Sequence, residues 1–239
     1  MRYLIRFRYD GTCFHGFQRQ KELKSVQGTL ENALSKMLDC QIVIKGSGRT
    51  DAGVHALAQC AHFDYDGSLG KKDLEIINDY LGGEIYIDKI EKKSSDFHAR
   101  HSVLKKVYEY RVNFGPFKDE YKGYYYQYKG KFDIKEMKRG AKLMEGKHDF
   151  RQFVSGPRND YTSYIYKITI KVKKNILIFK FVGAGFYRYM VRHLVGALMD
   201  IGKGKLKAED VKAMLECQDM SKNHSIVVAD GLYLVKVYY

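Results

Sequence analysis

The order of the predicted secondary-structure elements occurs twice along the chain, and this repeat is the strongest constraint on its fold. In the first copy, "MRYLIRFRYDG" is typical of a strand that ends in a tight turn. Ser25 is a helix-capping residue and precedes apolar residues at helical spacing. The segments "QIVIKG" and "ALAQCAHFDY" then predict two further strands.

The second copy begins with the predicted strand "KKVYEYRVNFG". The helix that follows carries apolar residues at helical spacing, namely Ile134, Met137, Ala141 and Met144. The segments "YIYKITIKV" and "NILIFKFVGAG" complete this copy as a strand pair. Because the unit β-α-β-β occurs only twice, it predicts a duplicated α+β domain with a shared antiparallel sheet and helices on one face, rather than a solenoid.

The two copies have no flexible linker between them. The chain contains only 2 prolines and has no Ser-rich or Gly-rich segment near its midpoint. We therefore expect an N-terminal half, residues 1–104, and a C-terminal half, residues 105–239, that are fused into one body with a central cleft. A helix that ends at Gly202, a second helix over 208–217 and the strand "GLYLVKVYY" are predicted to complete the C-terminal half.

The charge of the chain predicts a polyanionic partner. Among 239 residues, 42 are Lys or Arg and 28 are Asp or Glu, which gives a formal net charge of +14 at pH 7. This excess favours nucleic acid over an anionic membrane surface, and a solvated lysine-rich surface is the alternative. The 20 Tyr and 13 Phe supply aromatic faces for a core and for base stacking.

The cysteines and the start of the chain favour a reduced, cytoplasmic setting. The 4 cysteines form no CxxC pair and no zinc-like spacing. Met1 is followed by a short predicted strand, not by an apolar segment long enough for a signal peptide or a membrane span. We expect a soluble protein without a membrane partner.

A turn between two apolar runs has the composition of a functional loop. The stretch "KGSGRTDAGVHA" holds Arg49 and, two residues later, Asp51, among glycines and hydroxyl residues. Such residues permit tight, left-handed backbone and leave little bulk to shield a carboxylate. We expect Asp51 to lie at the mouth of a site, open to a ligand.

Two other kinds of site explain this region less well. The segment 46–53 lacks the Gly-Lys-Ser/Thr ending of a P-loop, and Asp51 stands where a Rossmann turn needs glycine and would repel a pyrophosphate. A zinc site could use His55, Cys60 and His62, but neither a fourth ligand nor an H-x-E signature accompanies them. We therefore expect neither a nucleotide cofactor nor a metal.

Arg192 lies in a segment that predicts a helix with apolar residues on every side, and such a helix is expected to be buried. A buried guanidinium needs a carboxylate or phosphate partner, because an unpaired buried charge costs several kcal/mol. Asp51 is the predicted partner. A surface-exposed Arg192 is the alternative.

Six motifs along nearly the whole chain occur in the order found in one protein family. The first two are "YDGTCFHGFQRQ" and the loop "GSGRTDAGVHA". The others are "DFHARHS", "KVYEYRV", "GAGFYRYMVRHLVGALMDIGKGK" and "ADGLYLVKVYY". Together they resemble the signature segments of the TruA-type tRNA pseudouridine synthases.

The resemblance implies isomerisation of uridine to pseudouridine in the anticodon arm of tRNA, around positions 38 to 40, without cofactor or essential metal. It implies that Asp51 is the catalytic aspartate, that Arg192 pairs with it, and that Arg49 supports the site. Tyr108 resembles the residue that stacks on the target uracil and handles a proton. The implied fold is two ferredoxin-like halves joined through one sheet, usually as a homodimer whose tRNA site spans both subunits.

Departures from the family pattern leave the RNA target open. Phe17 stands where tryptophan is usual, the pair Gly82 and Gly83 replaces Leu-Pro, and "SIVVADG" replaces a Thr-Ala-Pro-Ala segment. A paralogue that acts on another tRNA site or on rRNA is one alternative. A non-catalytic RNA-binding protein is another, although it has no reason to keep all four predicted site residues.

Three lysines that follow Gly202 are predicted RNA contacts. Lys203, Lys205 and Lys207 lie close together in the sequence, where they could bind phosphates. A solvated loop is the alternative.

Overall fold

The last strand of the chain returns to the first half. The computed structural model describes residues 1–217 and 223–239. These divide into two compact units, Met1–Leu104 with Tyr233–Tyr239, and Lys105–Leu232. The prediction had placed residues 233–239 in the C-terminal half. The structure places them in the first unit because Tyr233 and Leu234 pair in parallel with His55 and Ala56.

The helices and strands are named here in chain order. They are β1 (Arg2–Tyr9), α1 (Val26–Leu38), β2 (Lys45–Gly46), β3 (His55–Asp64), α2 (Lys71–Tyr80), β4 (Ile85–Lys93), β5 (Lys105–Asn113), β6 (Tyr126–Gln127), α3 (Ile134–Leu143), β7 (Gly146–Asp149), β8 (Thr162–Lys173), β9 (Ile176–Gly183), α4 (Met190–Gly202), α5 (Ala208–Leu215) and β10 (Leu232–Tyr238). Short 3-10 turns lie at Gly11–Cys13, Asp119–Tyr121 and Arg151–Phe153.

The first unit is built on a sheet with the strand order β4-β1-β3-β10. β1 is antiparallel to both β3 and β4, and β2 adds two residues beside β3. Tyr3, Ile5 and Phe7 alternate along β1 and are completely buried, as side chains on one face of a strand should be when that face covers a core. Leu34 of α1 and Ile77 of α2 are also completely buried.

The second unit is built on an antiparallel sheet with the order β5-β9-β8-β7. Tyr108 and Tyr110 of β5 lie opposite Phe181 and Phe179 of β9. Contacts join α3 to α4, α5 and β8. The chain is therefore a mixed α+β protein in which antiparallel pairing predominates.

Two sequence predictions for the first unit are wrong. Only Lys45 and Gly46 of the predicted strand "QIVIKG" are in a strand, and α2 and β4 follow β3 where none was predicted. The segment stays irregular because α1 satisfies its amides. Ile42 donates to Ser35 Oγ at 2.9 Å, and Ile44 donates to Glu31 Oε1 at 3.1 Å. These amides therefore do not need a neighbouring strand.

The predicted helix ends are largely confirmed. Ser25 caps α1 by accepting the amide of Gly28 at 3.2 Å, and α4 ends at Gly202. The predicted burial of α4 is also confirmed, but Arg192 and His193 are only half-buried. No helix in residues 1–217 or 223–239 has the length and apolar character needed to cross a membrane.

Candidate active site

The loop that carries Asp51 is anchored at its base by Gln59, a completely buried residue of β3. Gln59 Oε1 accepts a hydrogen bond from Ser47 Oγ at 2.6 Å, and Gln59 Nε2 donates to the carbonyl of Gly48 at 3.2 Å. The amide of Ser47 donates to the carbonyl of Cys60 at 2.7 Å. The first residues of the loop are thus held against β3.

Thr50, which precedes Asp51, is held from both its side chain and its backbone. The Tyr9 hydroxyl and Thr50 Oγ1 form a buried hydrogen bond of 2.7 Å, and the amide of Phe17 donates to the carbonyl of Thr50 at 3.0 Å. Burial raises the pKa of Tyr9 to about 12, so its hydroxyl stays protonated at neutral pH. A turn bond from the Val54 amide to the Asp51 carbonyl, at 3.2 Å, follows.

Glycine is required where the Tyr-Asp-Gly segment meets the far end of this loop. A Cβ on Gly11 would lie 2.4 Å from the backbone of Val54, and the Gly11 amide donates to His55 Nδ1 at 3.1 Å. The His55 ring stacks on Tyr233, with centroids 4.6 Å apart. Two motifs that are distant in sequence therefore pack together and fix the loop.

The side chains of the loop itself differ in exposure. Asp51 is half-buried and Arg49 is exposed. The expectation that Asp51 lies at an accessible position is thus met in part, since its side chain is neither enclosed nor fully solvated. Phe17, the residue found in place of tryptophan, is buried, and its ring would lie 2.4 Å from a Cβ on Gly46. It therefore packs under the loop.

The histidines of the alternative zinc site are used as acceptors. His55 Nδ1 accepts the Gly11 amide, and His62 Nδ1 accepts the Ala99 amide at 3.1 Å. In the part of the chain that the structure describes, no group of three His, Cys, Asp or Glu side chains is arranged to bind a metal.

Tyr108 lies on β5 of the second unit and is 8% exposed. Its ring meets Phe186 edge to face, with centroids 5.1 Å apart and an interplanar angle of 74°. Phe186 lies in the segment between β9 and α4 and was not singled out from the sequence. Phe186 does belong to the motif "GAGFYRYMVRH", and its place in that motif is the sequence signal that could have identified it.

Arg192 is held on α4 by backbone and aromatic contacts. Its Nε donates to the carbonyl of Val227 at 2.7 Å, and its guanidinium carbon lies 4.6 Å from the centre of the Tyr189 ring. The Val227 amide in turn donates to the Arg192 carbonyl at 3.4 Å. The orientation of the guanidinium therefore depends on the segment that contains Val227.

Tyr110 holds the same segment from β5. Its hydroxyl donates to the carbonyl of Val228 at 2.9 Å, and burial raises its pKa well above the usual range, so it remains a donor. On α4, Asp200 Oδ2 accepts the Ser225 amide at 2.7 Å, and a Cβ on Gly196 would lie 1.7 Å from the Ser225 carbonyl oxygen. Sequence reasoning missed Tyr110, because its role depends on residues more than a hundred positions away.

The three lysines after α4 do not behave alike. Lys203 is half-buried, and its ammonium lies 4.2 Å from the centre of the Tyr128 ring and 3.9 Å from Asp200 Oδ1. Burial lowers its pKa. Lys205 and Lys207 are exposed. The prediction of RNA contact is therefore best kept for these two.

Each unit thus carries two of the predicted site residues. The first unit presents Asp51 and Arg49 from an anchored loop, and the second holds Tyr108 and Arg192 on β5 and α4. The pairing of Asp51 with Arg192 stays a prediction. The fold and these sites define a two-unit α+β protein with a carboxylate on an anchored, glycine-rich loop.

Comparison with known proteins gives the family. A family model described as tRNA pseudouridine synthase matches residues 6–102 and 141–239. The tRNA pseudouridine synthase A of Latilactobacillus sakei subsp. sakei is 40% identical over 248 residues, covering 100% of this chain and 98% of that protein. The proteins of the same name from Lactobacillus helveticus and Thermosipho melanesiensis are 39% and 36% identical, covering 100% and 99% of this chain and 94% and 98% of their own lengths.

The chain belongs to the tRNA pseudouridine synthase family, because the family model and the relatives match over most or all of its length. A chain in the crystal structure of a Cbf5-Nop10-Gar1 complex covers 87% of this chain and is itself covered to 44%, at 12% identity and a TM-score of 0.38. That likeness is too distant to bear on the function.

Proposed function

We propose that this chain isomerises uridine to pseudouridine in tRNA, in the anticodon arm around positions 38 to 40, with Asp51 as the catalytic residue. The observation that carries the proposal is the anchored loop. Gln59 binds the backbone carbonyl of Gly48 and Tyr9 binds the side chain of Thr50, one on either side of Arg49, while Asp51 remains half-buried. A carboxylate that must act on a precisely placed nucleotide benefits from such a support.

The chemistry suits a carboxylate. The reaction breaks the N1–C1′ bond of uridine, turns the detached uracil and joins C5 to C1′. C5 loses one proton and N1 gains one, so substrate and product have the same atoms and the same oxidation level. An ionised Asp51 could attack C6, attack C1′ or remove a ribose proton. Arg192 is proposed to keep it ionised and oriented.

Tyr108 is proposed to stack on the target uracil. A uridine in a stem must leave its stack before its glycosidic bond can be reached, and an aromatic side chain can replace the lost stacking. Tyr108 is proposed for this, with Phe186 supporting its ring at 5.1 Å. The exposed Arg49 is proposed to hold the RNA backbone beside Asp51.

We also propose that the enzyme is a cytoplasmic homodimer. The unpaired thiols of its 4 cysteines fit a reducing compartment, and the dimer follows from the family resemblance. Light scattering of the active enzyme should give twice the chain mass of 27.8 kDa. A monomeric mass under conditions of full activity would contradict the dimer.

The test of the function is pseudouridine mapping on defined RNAs. Unmodified tRNA transcripts and an rRNA fragment are incubated with the protein, and pseudouridines are located by chemical modification and primer extension. We expect new pseudouridines in the tRNA anticodon arm only. Modification elsewhere in tRNA, or in rRNA, would replace the proposed target. Binding without pseudouridine on any RNA would favour the non-catalytic alternative.

A further inference from the structure

A shallow depression lies on the second unit beside the segment that joins β9 to α4. Its volume is about 350 Å³, and Lys147, Ser163, Tyr164, Gly185 and Tyr187 contribute to its lining. Such a volume suits one planar ring system with its substituents better than an extended segment of partner protein. None of the residues proposed above for the chemistry contributes to its lining.

Its aromatic surface is open to solvent. Tyr164 is 44% exposed, and the neighbouring Tyr166 is 49% exposed. Their ring centroids are 4.9 Å apart. The rings are tilted by 46° to each other, so a flat ligand can stack on one of them, and Tyr164 is the ring that lines the depression.

The backbone around the depression is already fixed. Ser163 Oγ donates to the Gly185 carbonyl at 2.8 Å, and the Ala184 amide donates to the Tyr164 carbonyl at 2.9 Å. The Tyr187 hydroxyl donates to the carbonyl of Thr162. A preformed surface of this kind binds without a large ordering cost.

The depression adjoins the aromatic pair proposed to receive the target uracil. Phe186, whose ring contacts Tyr108, directly follows Gly185 in the chain. A Cβ on Gly183 would lie 2.8 Å from the Phe186 ring and 3.1 Å from the Tyr164 carbonyl oxygen. Phe186 therefore contacts Tyr108 and also adjoins the lining of the depression, and all of these residues belong to the second unit.

Cations surround this surface. Lys147 lines it. The guanidinium of Arg158 covers the half-buried Tyr187 ring at 3.9 Å, and Lys147 and Arg158 are both exposed. Exposed aromatic rings next to exposed cations match a base attached to its phosphate.

We propose that this depression binds an unpaired base of the RNA that neighbours the target uridine on the same strand, stacked on Tyr164 with its phosphate near Lys147. The proposal rests on the proposed function and adds a second base-binding site to it. A nucleotide held next to the target would help to keep the strand open while the uridine is turned.

The absence of tryptophan from the chain allows a direct test. Tyr164→Trp places a single reporter at the site, and Tyr80→Trp places one at another exposed tyrosine, at the end of α2. We expect single-stranded anticodon-loop RNA to quench the emission of Tyr164→Trp but not that of Tyr80→Trp. A fully paired duplex of the same composition should have little effect. Equal quenching by the duplex, or none by the loop RNA, would overturn the proposal.

Activity provides the second readout. Tyr164→Ala should raise KM for tRNA by roughly 5- to 150-fold, the range expected for loss of one base stack, with a smaller effect on kcat. Tyr164→Phe should restore the parent KM because it keeps the ring, and Tyr80→Ala is the matched control. A parent-like KM for an active Tyr164→Ala enzyme would refute this site only. Failure of the parent enzyme to form pseudouridine in any RNA would refute the proposed function itself.

Discussion

His62 is expected to make the protein less stable as the pH falls from about 6.5 to about 4. The residue is 2% exposed on β3, and its Nδ1 accepts the Ala99 amide at 3.1 Å. Burial, followed by the nearby charge of His98, lowers its pKa from 6.5 to about 4. Protonation would turn the accepting nitrogen into a donor that faces another N–H, so the hydrogen bond would be lost.

The sign and size of the effect follow from the two pKa values. The unfolded chain binds a proton at His62 near pH 6.5, whereas the folded protein binds it only near pH 4. Between these values the unfolded state holds more protons, so the free energy of unfolding decreases as the pH falls, and His62 adds no further loss below pH 4. The interval corresponds to about 3 kcal/mol, and solvent screening reduces it little because its main cause is the desolvation of a side chain that is 2% exposed.

Urea denaturation across this pH range measures the effect. His62→Asn keeps an acceptor near the position of Nδ1 but does not titrate, and His15→Asn replaces an exposed histidine as the control. The parent and His15→Asn should each lose about 3 kcal/mol more than His62→Asn on acidification. Parallel losses in all three proteins would refute the attribution to His62.

Three further changes test the RNA site. Tyr108→Phe should keep most RNA binding, whereas Tyr108→Leu should lose turnover. An active Tyr108→Leu enzyme would show that Tyr108 is not in the site. A Tyr108→Phe enzyme that binds RNA but is inactive would show that the hydroxyl has a chemical role. Tyr110→Phe removes the hydrogen bond to the Val228 carbonyl, worth about 1 kcal/mol. It should slow single-turnover pseudouridine formation, with little change in tRNA affinity measured by filter binding. An unchanged rate would show that the segment containing Val227 and Val228 does not need this hydrogen bond. Replacing Lys205 and Lys207 by Ala should reduce the slope of log affinity against log salt by about 1 to 2, and an unchanged slope would place both outside the interface.

The cap of α1 at Ser25, the end of α4 at Gly202 and the burial of α4 could be predicted because they depend on residues close together in the sequence. The irregular segment before β2 could not. Its run of β-branched apolar residues is typical of a strand, but Ser35 and Glu31 of α1 bind the amides of Ile42 and Ile44 instead. Contacts with α1 thus outweigh the strand propensity of the segment.

The same distinction holds for the candidate site. The composition of the loop around Asp51 and its resemblance to a family motif were enough to single out that residue. The residues that anchor the loop, Tyr9 and Gln59, lie on two neighbouring strands, and their hydrogen bonds are not encoded by any local pattern. Phe186 and Tyr110 were missed for the same reason, because their roles depend on partners brought close only by folding.

The catalytic role of Asp51 is the central claim, and Asp51→Asn tests it most directly. Asn has nearly the same size and can occupy the same turn, but it lacks the charge and basicity of a carboxylate. The loop should keep its conformation, because the hydrogen bonds that Ser47, Thr50, Tyr9 and Gln59 make do not involve the Asp51 carboxylate. The variant is therefore expected to fold and to bind tRNA about as well as the parent.

The decisive measurement is single-turnover pseudouridine formation in unmodified tRNA, with Asp51→Asn in excess over the RNA. Thermal unfolding and filter binding on the same preparation establish that the variant is folded and binds. We expect no detectable pseudouridine, because neither nucleophilic attack nor proton removal is open to the amide. Measurable pseudouridine formation by the folded variant would contradict the assignment. Loss of tRNA binding together with activity would instead make Asp51 a residue that structures the loop.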